Sequence, residues 1–162
     1  LAQEPRLAAD FAAHLQEHSL EVVLPFLQVL HPACSMVPIS VSERGFPTLE
    51  SVARNLAAAI RAEGRPVSIV VSSDMSHYLP HGQAKERDDM AIAPMLDLDP
   101  GRLYEVVRRH GISMCGVLPM TLGLCLAREL GATSARLAAY ATSGEASGDY
   151  RRVVGYAGVL VN

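Results

Sequence analysis

Ser72-Ser73-Asp74-Met75-Ser76-His77-Tyr78 puts three serine hydroxyls, a carboxylate, an imidazole and a phenol directly after the apolar run at 67–71. In open α/β sheets, reactive groups gather just beyond the carboxyl ends of the strands. Asp74 and His77 are three residues apart, so a tight turn brings the carboxylate to the imidazole. That contact would fix the ring tautomer and raise its basicity, as general acid–base chemistry requires. The plainer reading is an Asp/Ser turn that leaves the histidine exposed.

A second candidate is Cys115, in Ser113-Met114-Cys115-Gly116-Val117-Leu118-Pro119. Gly116 permits close backbone approach, and Pro119 suits the first turn of a helix. Thiols at helix N-termini are more acidic than usual and serve as nucleophiles or soft metal ligands. The alternative is a small buried hydrophobe, the role expected here for Cys125 in mid-helix and for Cys34 at the start of a strand. A third pattern, His14-Leu15-Gln16-Glu17-His18, spells the inverted zinc-peptidase motif H-x-x-E-H. That reading needs both histidines on one helical face and an acidic ligand downstream, and no such ligand stands out. GxGxxG, GxxxxGK[ST] and GxSxG are all absent. The polar stretch from Thr142 to Tyr150 reads as a connector between strands, free to fold over a pocket.

The elements that must position these groups follow from periodicity. Leu20, Val23, Leu24, Leu27 and Leu30 form one helical face over 19–31, with Ser19 as N-cap and a kink or restart at Pro25. Residues 35–41 and 67–72 read as strands. The second of these is a near-continuous apolar run of the kind covered on both faces. Helices are expected over 48–62 (ended by Gly64), 83–96, 101–110 and 119–130 (ended by Gly131). Closing strands are expected over 135–141 and 153–161. Alternating strands and helices indicate an α/β sandwich with a mixed or parallel central sheet flanked by helices.

The chain has 162 residues, 49% hydrophobic and 19% charged, which is one globular domain over 1–162. A net charge of −3 leaves no electrostatic footprint for nucleic acid or an anionic membrane, and the absence of Trp removes a base-stacking surface. Three cysteines without CxxC spacing read as reduced thiols of a cytoplasmic protein. No apolar run reaches the ~18 residues of a spanning helix. With Leu rather than Met at position 1, the chain reads as a fragment or processed product.

Several motifs occur here in the order found in Memo-like proteins, also called AmmeMemoRadiSam system protein B. They are Glu17-His18-Ser19-Leu20-Glu21, Leu24-Pro25-Phe26-Leu27, Ser72 to Tyr78, Cys115-Gly116, Ser147-Gly148-Asp149-Tyr150 and Val153 to Gly158. The chain resembles that family from about residue 14 to its end. The resemblance implies a fold similar to class III extradiol dioxygenases and a pocket holding a metal between two histidines and one cysteine, a donor set soft enough for iron or copper. Cys115 corresponds to that cysteine. Asp74 and His77 correspond to pocket residues acting as general acid/base, and His18 and Ser72 are expected to line the same pocket. The two histidine ligands belong to a region before the EHS motif that includes an H-A-G-Y segment, which this chain lacks. The expectation is therefore a C-terminal portion of a domain about 100 residues longer. A metal-dependent, redox-related activity is the leading function, although replacing a dioxygenase carboxylate with Cys115 weakens the case for ring opening. The alternatives are a non-catalytic binding or scaffold module on the same fold and, more remotely, the zinc peptidase. A link to the radical SAM protein of the same system is implied by resemblance alone.

Overall fold

Helices carry most of the buried surface in this chain, and a small sheet is laid against them. The structure is a computed structural model describing residues 7–42 and 45–162. A 3-10 turn at Glu21–Val23 leads into helix α1 (Leu24–Leu30), with Pro25 in its first turn. The restart expected at Pro25 is observed, because a missing N–H costs nothing there. The anticipated buried face of α1 is not observed: none of its residues is buried, and Phe26, Val29 and Leu30 are exposed.

Helix α2 (Phe46–Glu63) buries Leu49, Val52, Ala53, Leu56 and Ala57, the spacing of one helical stripe. It ends at Gly64 in the left-handed conformation, φ 70°, where glycine avoids the Cβ penalty. Further along lie β1 (His77–Leu79), α3 (His81–Leu96), α4 (Pro100–Arg109) and α5 (Val117–Glu129). The Asp99 carboxylate caps α4 by accepting from Arg102 N at 2.9 Å, and Pro100 opens the helix. The chain closes with β2 (Ala135–Thr142), α6 (Ser143–Ser147) and β3 (Val153–Val161). The segment expected to be a plain connector contains α6, which begins with a reciprocal capping box between Thr142 and Glu145.

The strands form one three-stranded sheet in the order β1-β3-β2, with both pairings antiparallel. The parallel or mixed sheet expected from strand–helix alternation is therefore incorrect for the described residues. The runs at 35–41 and 67–72 are not strands either. Neither has a ladder partner among the described residues, and Met36, Val37, Val67, Ile69 and Val70 are exposed. An apolar run signals a strand only where a neighbouring strand satisfies its backbone. Cys34, expected in the core, is exposed for the same reason. Among the described residues no helix is long and apolar enough to cross a membrane.

Helix α5 lies between two apolar clusters. Its Leu122, Cys125 and Leu126 pack on the stripe of α2, while Leu124 joins Ile92 and Met95 of α3 and Leu103 and Val107 of α4. Leu49 and Leu103, 1% and 0% exposed, each contribute roughly 2 kcal/mol of transfer free energy. The second cluster also holds Tyr140 of β2 and Ala157, Val159 and Val161 of β3. The alternate residues Tyr156 and Leu160 point to the other face and are exposed.

A buried carboxylate ties the sheet to α3. Asp88 is fully buried; its Oδ1 accepts from Ser76 N at 2.8 Å and its Oδ2 from the Tyr140 hydroxyl at 2.8 Å. Burial, and after it the bond to Asp88, raises the Tyr140 hydroxyl above the ordinary tyrosine range, which keeps it a donor. Gly155 of β3 makes room for this carboxylate: a Cβ there would overlap Asp88 Oδ2 and lie 3.1 Å from its Cγ. By contrast, a Cβ on Gly158 meets nothing nearer than 4.0 Å. Gly155→Ala is expected to destabilise the fold by about 2–3 kcal/mol, and Gly158→Ala by less than about 1 kcal/mol. Chemical unfolding of the two variants side by side checks this; equal midpoints would remove the role given to the Asp88 clamp.

Candidate metal centre

The strand-to-helix signals around 72–78 fold into a loop that is pinned from both sides before β1 begins. Met75 N donates to Gly155 O at 2.9 Å, and Gly155 N donates to Ser76 O at 2.9 Å. Met75 and Ser76 are buried, so their neighbours Asp74 and His77 turn to the opposite, more open side. The turn expected between Asp74 and His77 is present, with His77 Nε2 and Asp74 Oδ2 3.4 Å apart.

Cys115 approaches this turn from the loop before α5. Asp74 N donates to Cys115 Sγ at 3.2 Å, and Ser73 Oγ is 3.9 Å from the same sulfur. The contact depends on Gly116. Its N–H donates to Ser73 Oγ at 2.9 Å, and a Cβ there would lie 2.6 Å from Ser73 Oγ and 2.9 Å from the Ser72 carbonyl oxygen. The close backbone approach anticipated for Gly116 is thus its structural role. Ser72 takes part through its main chain.

The orientation of His77 comes from a residue that the sequence did not single out. Ser113 Oγ accepts from His77 N at 2.8 Å, and the Ser113 carbonyl oxygen lies 2.6 Å from His77 Nδ1. A carbonyl can only accept, so Nδ1 carries the proton and Nε2 presents its lone pair to Asp74. One donor atom each from Asp74, His77 and Cys115 lies within 4.8 Å of the others, a set able to hold a metal ion. A proton or a cation between the two atoms would turn this 3.4 Å contact from repulsive to attractive. An imidazole nitrogen, a carboxylate oxygen and a sulfur fit a first-row transition metal. The site is open: Cys115 is exposed and the Asp74 side chain is about half exposed. Surface hollows of about 430 and 260 Å³ lie elsewhere, along α4 and between α3 and His110.

His18 does not join this group. It is exposed in an irregular stretch, while the Glu17 carboxylate beside it caps the next turn, accepting from Ser19 N at 2.7 Å and Leu20 N at 3.1 Å. The Ser19 hydroxyl donates to the same carboxylate and, as the largest cause, holds it below the ordinary glutamate range. Glu17, not Ser19, is therefore the cap. His14 ends a 3-10 turn and His18 lies beyond it, so the single helical face needed by an H-x-x-E-H zinc site is not formed.

The Memo-like protein family model matches residues 1–160. A MEMO1 family protein of Pyrobaculum arsenaticum is 40% identical over 151 residues, covering 93% of this chain and 54% of that protein. A MEMO1 family protein of Methanopyrus kandleri is 37% identical over 152 residues, with 93% and 54% covered. One from Aquifex aeolicus is 39% identical over 157 residues, with 96% and 58% covered. The chain spans about half the length of these curated relatives.

The three thiols should differ sharply in reactivity. Burial pushes the Cys125 thiol up to about 11, while Cys34 and Cys115 are exposed. Iodoacetamide at mildly alkaline pH is expected to label Cys34 and Cys115 in the folded chain, and Cys125 only after denaturation. Peptide mapping by mass spectrometry reads this, and labelling of Cys125 at the rate of Cys115 would contradict the burial described.

Proposed function

The chain belongs to the Memo-like family, and from that premise we propose that Asp74, His77 and Cys115 are this chain's share of a transition-metal site with redox chemistry. What supports the reading is a single arrangement: a thiol, a carboxylate and an imidazole of fixed tautomer converge within 4.8 Å. Iron and copper both suit such a set, since the sulfur is soft and the imidazole intermediate. In this reading Cys115 is a metal ligand, its sulfur steadied by the Asp74 N–H. His77 holds or moves a proton at Nε2 beside the metal. Ser113 keeps the other ring nitrogen protonated throughout, which confines that exchange to Nε2. Asp74 accepts from the imidazolium when Nε2 is protonated. The metal, when bound, supplies Lewis acidity and a one-electron couple.

One thiolate with Asp74 and His77 beside it does not close a coordination shell. We propose that further ligands, the two histidines implied by the family resemblance, come from outside the described residues, within the dioxygenase-like sandwich of a longer domain. The exposed apolar residues Val67, Ile69, Val70, Tyr156 and Leu160 support this, because such surface is normally covered.

Calorimetric titration of the chain with iron(II) and with copper(I) tests the assignment. Cys115→Ser and His77→Ala are each expected to weaken binding by at least about tenfold, while His14→Ala leaves it unchanged. Bound metal should also slow alkylation of Cys115 without affecting Cys34. If both variants bind as the unsubstituted chain does, the metal site is lost and the fold is better read as a non-catalytic binding module.

A further inference from the structure

The pairing of β1 with β3 contains one irregularity. His77 stands opposite Val154 and Leu79 opposite Val153, so Tyr78 is an extra residue on one strand, a β-bulge. Its backbone is left-handed, with φ 59°. At an inserted residue this conformation is glycine's role, and a bulky side chain there is strained. Burial does not compensate, because Tyr78 is 65% exposed. The Tyr78 and His77 rings are 5.9 Å apart between centroids, and the Arg152 guanidinium lies over the Tyr78 ring at 5.4 Å. Among the described residues no carboxylate pairs with Arg152. The result is an exposed aromatic ring beside the His77 ring, with a planar cation over it that no carboxylate among the described residues pairs.

We infer that Tyr78 and Arg152 form the ligand-recognising wall of the Asp74–His77–Cys115 site, and that its ligand is a planar, conjugated carboxylate. Its ring stacks on Tyr78, and its carboxylate accepts two parallel hydrogen bonds from Arg152, a match of flat fork to flat anion. The inference rests on the metal-site reading for what happens next to His77, but recognition by the wall is measurable without metal. Tyr78 and Arg152 are specificity-determining residues in this arrangement, and the strain at Tyr78 persists because a glycine there would remove the stacking face.

Two probes of equal size, 4-hydroxybenzoate and the uncharged 4-hydroxybenzamide, separate charge from shape. The unsubstituted chain is expected to prefer the benzoate by about tenfold or more, the worth of a charge-assisted hydrogen bond. Arg152→Gln should abolish that preference. Tyr78→Gly should weaken both probes while holding or raising the unfolding midpoint, and Tyr78→Phe should retain binding. Iron(II) affinity, measured in parallel, should be the same in all variants. No binding of either probe, no preference for the anion, or unchanged binding in Tyr78→Gly and Arg152→Gln each overturns the inference. So does a fall in the Tyr78→Gly midpoint with binding intact, which makes Tyr78 structural. Failure to bind iron(II) with the benzoate preference kept defeats the metal reading alone and upholds this one.

Discussion

A carboxylate in the apolar core is the constraint on which the remaining geometry hangs. Asp88 gains nothing from solvent, so its burial is tolerable only because its oxygens receive hydrogen bonds from Ser76 N and the Tyr140 hydroxyl. Those donors belong to the approach to β1 and to β2, and Asp88 itself belongs to α3. The requirement to satisfy one group therefore fixes three elements relative to one another. Gly155 completes the arrangement: its missing side chain leaves space for the carboxylate, and its backbone pairs with Met75 and Ser76. The Ser76 hydroxyl is buried without a partner, so it is the Ser76 main chain that the clamp requires. With Met75 and Ser76 held inward, Asp74 and His77 are turned outward and reach each other.

The helices were legible because their signals are local. The left-handed glycines Gly64 and Gly131 mark ends that depend on a few adjacent residues. The five-residue stripe of α2 likewise needs only its own periodicity. Strands depend on a partner elsewhere in the chain, and there the reading failed in both directions. The runs at 67–72 and 35–41 have strand composition but no ladder among the described residues, whereas β1 is three residues long and exists because β3 pairs with it. Thr142 and Glu145 have capping-box spacing, but the small polar residues around them have the composition of a loop.

The site divides along the same line. The Asp74–His77 contact spans three residues and could be read from spacing, whereas Cys115 is brought in across 41 residues by the contact of Gly116 with Ser73. Ser113 carries no motif of its own, yet it decides the His77 tautomer through two bonds, one to the backbone and one to the ring. Among the described residues His18 stands apart from this group. The neighbouring Glu17 closes the turn at Ser19 and Leu20.

The openness of the site and the exposed side of the sheet have one origin. Helices α3, α4 and α5 cover a single face, taking Ala157, Val159 and Val161 inward and leaving Tyr156 and Leu160 outside. Asp74, His77 and Cys115 are supported from beneath by buried backbone and, among the described residues, form an open floor with Cys115 exposed. A floor of this kind fixes tautomer, donor set and direction of approach. Water exclusion, which strengthens charge–charge interactions by lowering the local dielectric, needs a second layer of protein. Donor orientation is thus a property of residues 73–77 and 113–116, while the strength with which those donors hold a cation depends on what stands opposite them.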